Sequence, residues 1–179
     1  MAFDPRDCLL VPAPHPATLE DIELLKQCNV SFGQSTGPGG QHRNRRSTAA
    51  SLVHEPTGMH GSASERRSQD QNRSVALRRL RLRLALQART RGRFKGVSRL
   101  WETRRQGKQI SVNPKHRDYP ALLSEALDCI NAHRWDVAKA AGALGISMSQ
   151  LTKLLRHHPA ALERVNQVRD EIGIPRLRR

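Results

Sequence analysis

Aromatic residues are nearly missing from this chain: Phe, Trp and Tyr together make up 3% of its 179 residues. A core built without them must be small and aliphatic. Cysteine is also rare. Cys8, Cys28 and Cys129 stand far apart, with no close pair and no flanking histidine at metal-ligand spacing, which argues against a disulfide framework and predicts reduced, partly buried thiols of a cytoplasmic protein. His42, His54, His60, His157 and His158 form no zinc pattern, so neither a metal nor a cofactor is expected. No run approaches the roughly eighteen apolar residues of a membrane span, and residues 1–30 lack the basic start, apolar centre and cleavage site of a secretion signal. A membrane protein or an exported one is not expected. The last shortage is of acids: 16 Asp plus Glu face 31 Lys plus Arg, a formal charge of +15.

The surplus of positive charge is local. Residues 41–117 hold 20 Lys plus Arg and 4 acids, a net of +16, while the other 102 residues sum to −1. Arginine greatly outnumbers lysine in this region, and its planar fork suits bidentate phosphate contacts and stacking on bases. Such focused charge points to nucleic acid as partner.

At the start of the basic region lies Ser35-Thr36-Gly37-Pro38-Gly39-Gly40-Gln41. Glycines let a backbone approach a ligand closely, and Pro38 fixes φ just ahead of them. The chain continues through Gln41-His42-Arg43-Asn44-Arg45-Arg46-Ser47, Ala49-Ala50-Ser51-Leu52-Val53-His54, Glu55-Pro56-Thr57-Gly58 and Arg67-Ser68-Gln69-Asp70-Gln71-Asn72 into a helix rich in leucine and arginine.

This order of motifs, over about residues 29 to 88, resembles the catalytic domain of the class I peptide-chain release factors and of the short ribosome-rescue peptidyl-tRNA hydrolases. The resemblance implies hydrolysis of the ester between a nascent peptide and the 3′ end of tRNA. Gly39, Gly40 and Gln41 would be the catalytic residues, with the backbone N–H of Gln41 facing the reacting centre and its side chain lining a pocket that admits water. Backbone donors suit this chemistry, because attack of water on an ester develops charge on the carbonyl oxygen and on the leaving ribose oxygen. The Gln41 amide has no useful pKa near neutrality and cannot act as general base. The terminal ribose hydroxyl and ribosomal RNA would have to assist, and a free ester should scarcely react. Arg43, Asn44, Arg45, Arg46, Arg67, Gln69, Asn72 and Arg73 are the expected RNA contacts. Arg43 stands where the family usually has valine.

The coarse pattern is α+β. Residues 1–16, with prolines at 5, 12, 14 and 16, read as an extended arm. Residues 17–88 read as a small release-factor-like domain of three or four strands under one long helix. Leu19, Ile22, Leu25 and Cys28 give a short first helix an apolar stripe. Strands follow near Val30 and Phe32, over 47–54, and from Met59 to Ala63 after the Pro56-Thr57-Gly58 turn. Ser68 is placed as the cap of the long helix, whose apolar face runs through Val75, Ala76, Leu77, Leu80, Leu84 and Ala88, leaving Arg73, Arg78, Arg79, Arg81 and Arg83 exposed. Residues 89–117, with ten basic residues against Glu102 and with Gly92, Gly96 and Gly107, read as a basic linker holding a short hairpin through Trp101 and Ile110 to Val112. In the resembling rescue hydrolases a basic tail enters the empty messenger channel, but here more folded sequence follows.

Residues 118–179 read as all-α: a helix through Leu122 to Ile130, a second over Trp135 to Ala143, a third around Leu151, and a last one from Pro159. Ala141, Gly145 and Leu151 occupy the small-contact, turn and core positions of a helix-turn-helix. Ser149, Gln150, Lys153 and Arg156 would face outward. The net charge of this part is only +2, so it reads equally as a DNA- or RNA-binding element and as a packing or ribosome-docking module. Two functions stand side by side. One is a monomeric, cytoplasmic hydrolase acting on the ribosome, with ribosomal RNA and peptidyl-tRNA as partners and messenger RNA as a further contact. About thirty residues precede its catalytic unit, too few for a codon-reading domain, which favours codon-independent rescue. The other is a nonenzymatic RNA- or DNA-binding protein acting through the helix-turn-helix.

Overall fold

The computed structural model describes residues 8–33, 48–92 and 94–178. They form two compact units, one of Leu19–Leu84 and one that joins the N-terminal residues up to Thr18 with the chain from Ala85 onward. The fold is mixed α and β.

In the first unit, α1 (Asp21–Lys26) leads into an antiparallel sheet of β2 (Cys28–Gly33), β3 (Ala49–His54) and β4 (Met59–Ala63), in the order β2-β3-β4. The strand from Leu9 to Val11, β1, belongs to the other unit. β3 alternates: Ala50, Leu52 and His54 are buried while Ala49 and Ser51 are half-buried and Val53 is exposed. The inward face meets α2 (Gln69–Gln87). Asn72, Ala76, Leu77, Leu80 and Leu84 are buried at helical spacing, so length and periodicity decide for a helix here. Contact with the sheet is closest at Gly61, where an added Cβ would fall 2.3 Å from the Ala76 carbonyl oxygen and 2.6 Å from the Leu80 nitrogen. Only glycine lets strand and helix backbones approach so closely. On α1 the buried residue is Leu24, whereas Ile22, assigned above to the apolar stripe, is 69% exposed.

Arginines of α2 do different work at different turns. Arg81, expected outside, is buried and donates to Asp21 Oδ1 at 2.7 Å, tying α1 to α2. Arg79 reaches the edge strand β4, donating to the Ser62 carbonyl at 2.6 Å, and Arg83 lies 3.0 Å from the His60 ring nitrogens. Such charged cover over an unpaired strand edge discourages pairing with other chains. The β3–β4 turn closes around His54, whose ring nitrogens meet Thr57 Oγ1 at 2.7 Å and Gln27 Oε1 at 3.0 Å. Burial pushes its pKa below the ordinary 6.5, so the neutral ring is the structural form.

The second unit centres on α4 (Tyr119–Ala132), which is apolar nearly all round and buries Leu122, Leu123, Leu127 and Ile130 completely. A helix with that composition is the inside of a domain. Around it lie α5 (Val137–Ala143), α6 (Met148–Arg156) and α7 (Pro159–Glu171). Trp135, expected inside the second helix, instead has φ +63° after Arg134 at φ +54°, and α5 begins only at Val137 behind the Asp136 cap. The Trp135 carbonyl accepts from Arg169 at 2.8 Å.

Two segments expected to stand apart are part of this unit. The N-terminal arm contains β1, which pairs in parallel with β5 (Ala88–Thr90), and a 3-10 turn at Pro16–Thr18 whose Pro16 and Ala17 are buried. His15 lies 3.3 Å from the Ala88 carbonyl. The expected linker is folded as α3 (Arg99–Arg104) and the two-residue strands β6 (Arg105–Gln106) and β7 (Gln109–Ile110). The two acids on α4 hold it down: Asp128 accepts from the Thr90 hydroxyl at 2.6 Å, and Glu125 accepts from Ser98 N and Oγ, each at 2.6 Å. Trp101 is fully buried on α3, ahead of the hairpin and not within it, and its indole donates to the Leu144 carbonyl at 2.9 Å.

Candidate functional site

The Gly39-Gly40-Gln41 run, with Arg43, Asn44, Arg45 and Arg46, lies outside the described residues. Its anchors do not. Gly33 at the end of β2 and Ala49 at the start of β3 are register partners, so the chain leaves the sheet and returns to it at adjacent points. Thr48, the first described residue after the run, is held from below by Asn72, whose Nδ2 donates to the Thr48 carbonyl at 2.6 Å and to the Arg66 carbonyl at 2.9 Å. The Asn72 Oδ1 accepts from Arg66 N at 2.9 Å. One amide thus staples Thr48, just before β3, to the entrance of α2.

This corrects one expected RNA contact. Asn72 is fully buried and its amide is spent on backbone groups, so it faces no RNA in this structure. Arg67, Gln69 and Arg73 are exposed. Arg73 pairs with Asp70 at 3.2 Å, a surface pair of small worth that a phosphate could displace.

Beside the strand ends runs a groove of about 380 Å³, lined by Ser31, Phe32, Ala50, Ser62, Glu65 and Arg79 among others. The guanidinium of Arg79 donates to Glu65 Oε1 at 2.7 Å. The Glu65 carboxyl is held below its usual range, chiefly by the Ser64 backbone N–H and further by Arg79. No local pattern singles out Glu65 as the partner of Arg79, fourteen residues on, because only the β4–α2 connection brings them together. Among the described residues no cluster of His, Cys, Asp or Glu could hold a metal ion. Cys28 is no nucleophile either, since burial and Glu55 push its thiol up to about 11.

In the other unit, α5 and α6 are joined by a short turn in which Gly145 has φ +70°, as the turn position requires. Ser147 caps α6, accepting from Gln150 N at 3.3 Å. Ser149, Lys153 and Arg156 are exposed along one stripe, Gln150 is half-buried, and Ala141 and Leu151 are in the core.

A family model for the RF-1 domain matches residues 20–121, which take in the Gly39-Gly40-Gln41 run, its anchors, α2 and the α3–hairpin segment. This chain belongs to the RF-1 domain family. Among relatives, it is 47% identical over 65 residues to peptide chain release factor 1 of Lactiplantibacillus plantarum, an alignment covering 36% of this chain and 18% of that protein. It is 40% identical over 68 residues to peptide chain release factor 1 of Ligilactobacillus salivarius, covering 36% and 19%. The mitochondrial peptide chain release factor 1 of Bos taurus is 37% identical over 75 residues, covering 42% of this chain and 17% of its own length. The chain thus spans less than a fifth of these relatives. The RF-1 domain match ends at residue 121, just inside α4, so most of the helical unit lies beyond it. No helix among the described residues is long and apolar enough to cross a membrane.

Proposed function

We infer that this protein hydrolyses the ester of peptidyl-tRNA on the ribosome, and that it does so without reading a codon, on stalled complexes. The observation that carries the reading is the RF-1 domain match over residues 20–121, which encloses an intact Gly39-Gly40-Gln41 run between strand ends paired at Gly33 and Ala49. In this reading Gly39 and Gly40 let the backbone enter the peptidyl transferase centre, and the Gln41 N–H donates to the charge that develops on the ester oxygens. Gln41's side chain admits water. Arg43, Asn44, Arg45 and Arg46 hold the tRNA end or nearby ribosomal RNA, with Arg67, Gln69 and Arg73 as further phosphate contacts. No side chain in this set acts as general base, so ordering of water and substrate supplies the rate.

Peptide release from ribosomes stalled on truncated messenger tests it. Gly40→Ala should abolish release and leave ribosome binding nearly intact, because one added methyl prevents close approach; Gln41→Ala should slow release. Equal release by wild type and Gly40→Ala would overturn the reading. Ribosomes paused at a stop codon form the second arm: release confined to them would remove the codon-independent part alone.

A further inference from the structure

We propose that the exposed stripe of α6, together with the tip of the β6–β7 hairpin, is a binding surface for the phosphate backbone of double-helical RNA. The first observation is the seating of the hairpin. Ser147 N, at the cap of α6, donates to the Lys108 carbonyl at 3.0 Å, which puts the hairpin tip at the first turn of that helix. Arg105 lies over the turn, its Cδ, Nη1 and Cζ 3.4–3.5 Å from where a Cβ on Gly145 would stand. Helix and hairpin form one continuous surface in a single compact unit.

The second observation is the distribution of charge on that unit. Its acids are engaged: Asp118 with Arg104 at 2.5 Å, Glu102 with Arg105 at 2.8 Å, Asp136 with Lys139 at 3.3 Å, Glu163 and Asp170 with Arg176 at 2.8 Å each, and Glu125 and Asp128 with Ser98 and Thr90. Lys108, Lys153 and Arg156 are exposed, and no acid among the described residues pairs with them. Lys153 and Arg156 follow Ser149 at helical spacing, so the cations continue along one line from the hairpin tip. Cations left without partners while every neighbouring acid is occupied fit a polyanion.

The third observation selects a double helix over a single strand. Sequence-tolerant single-strand binding relies on exposed aromatic rings as stacking platforms. In this unit Trp101, Trp135 and Tyr119 are buried and Phe94 is half-buried, and none of the four lies on α6 or the β6–β7 hairpin. What remains exposed is suited to backbone phosphates, the part of a duplex that a sequence-independent surface contacts. The choice of RNA over DNA rests on the proposed function, since an RF-1 domain acting on the ribosome meets RNA helices.

The test measures affinity of the full chain for a 20-base-pair RNA duplex by fluorescence anisotropy across a salt series. The variant Lys108→Ala, Lys153→Ala, Arg156→Ala removes the surface. A control variant, Lys26→Ala, Lys139→Ala, Arg176→Ala, removes the same net charge from cations that already have acidic partners. Both are checked by thermal melting. The surface variant should bind about tenfold more weakly at moderate salt, with a log–log salt slope shallower by about 2 to 3, while the control changes little. Equal weakening by both would reduce the effect to net charge and overturn the proposal. So would unchanged binding by the surface variant, or tighter binding of wild type to a DNA duplex of the same sequence. Failure of the hydrolase reading would appear separately, as release undiminished by Gly40→Ala, with the duplex result untouched.

Discussion

Asn72 shows how a polar residue in a basic motif can be spent on holding main chain. It sits at the first turns of α2, fully buried, with three hydrogen bonds to main-chain groups of Thr48 and Arg66. Truncation to alanine would leave the part-buried Arg66 N–H and the Thr48 and Arg66 carbonyls without these partners. Asn72→Ala is therefore expected to destabilise the first unit by about 2–4 kcal/mol, and to loosen the point where the chain after the Gly39-Gly40-Gln41 run rejoins the sheet. The check is hydrogen exchange of the β3 amides, together with release kinetics at a temperature where the variant is folded. Exchange as slow as in wild type would show that the staple carries no load. His54 is another polar residue enclosed in this unit, and with both ring nitrogens occupied its part is to fix the β3–β4 turn.

Helix and sheet depend on one residue that has no side chain. At Gly61 a methyl would meet backbone on α2, not the far end of a flexible side chain, and backbone cannot step aside without moving the helix. Gly61→Ala is expected to destabilise the unit by about 3 kcal/mol or more, read as lost exchange protection across β3 and β4. Protection equal to wild type would contradict the close approach. In the helical unit the governing contacts run between elements: Asp128 and Glu125 of α4 hold the segment that carries α3, and Trp101 of α3 bonds the turn between α5 and α6. Burial, then the neighbouring Glu125 and Asp128, push the Cys129 thiol on α4 up to about 12, so it stays protonated in this apolar centre.

Across the whole molecule, sequence order and compact units do not coincide. Residues 8–18 complete the unit that also contains the last described residues, through the parallel β1–β5 pair and the 3-10 turn packed near α4. Arg164 on α7 approaches Cys8 at 2.9 Å. Removal of residues 1–18 should accordingly lower the stability of the helical unit and spare residues 19–84. Both tryptophans, Trp101 and Trp135, lie in that helical unit, so tryptophan fluorescence reports on it alone. The truncated protein should unfold at lower urea concentration by this probe, while exchange protection of β2 to β4 persists. An unshifted fluorescence transition would mean that the N-terminal residues are dispensable to it.

The amino-acid sequence by itself carried most of what depends on neighbours along the chain. The glycine run and the motifs after it announced the family, the alternation in Ala50, Leu52 and His54 announced a half-buried strand, and the spacing of Ala76, Leu80 and Leu84 announced α2, because these signals repeat within one or two turns of backbone. Tertiary structure alone decided what long-range contacts set. Asn72 looks like any polar residue in a basic motif until Thr48 and Arg66 are brought against it. Arg81 looks exposed until Asp21, sixty positions earlier, arrives to receive it. A proline-rich start and an arginine-rich middle read as arm and linker, since their composition resists local structure. Partners supplied by β5 and by the acids of α4 fold them nonetheless, and no local pattern encodes a partner that far away.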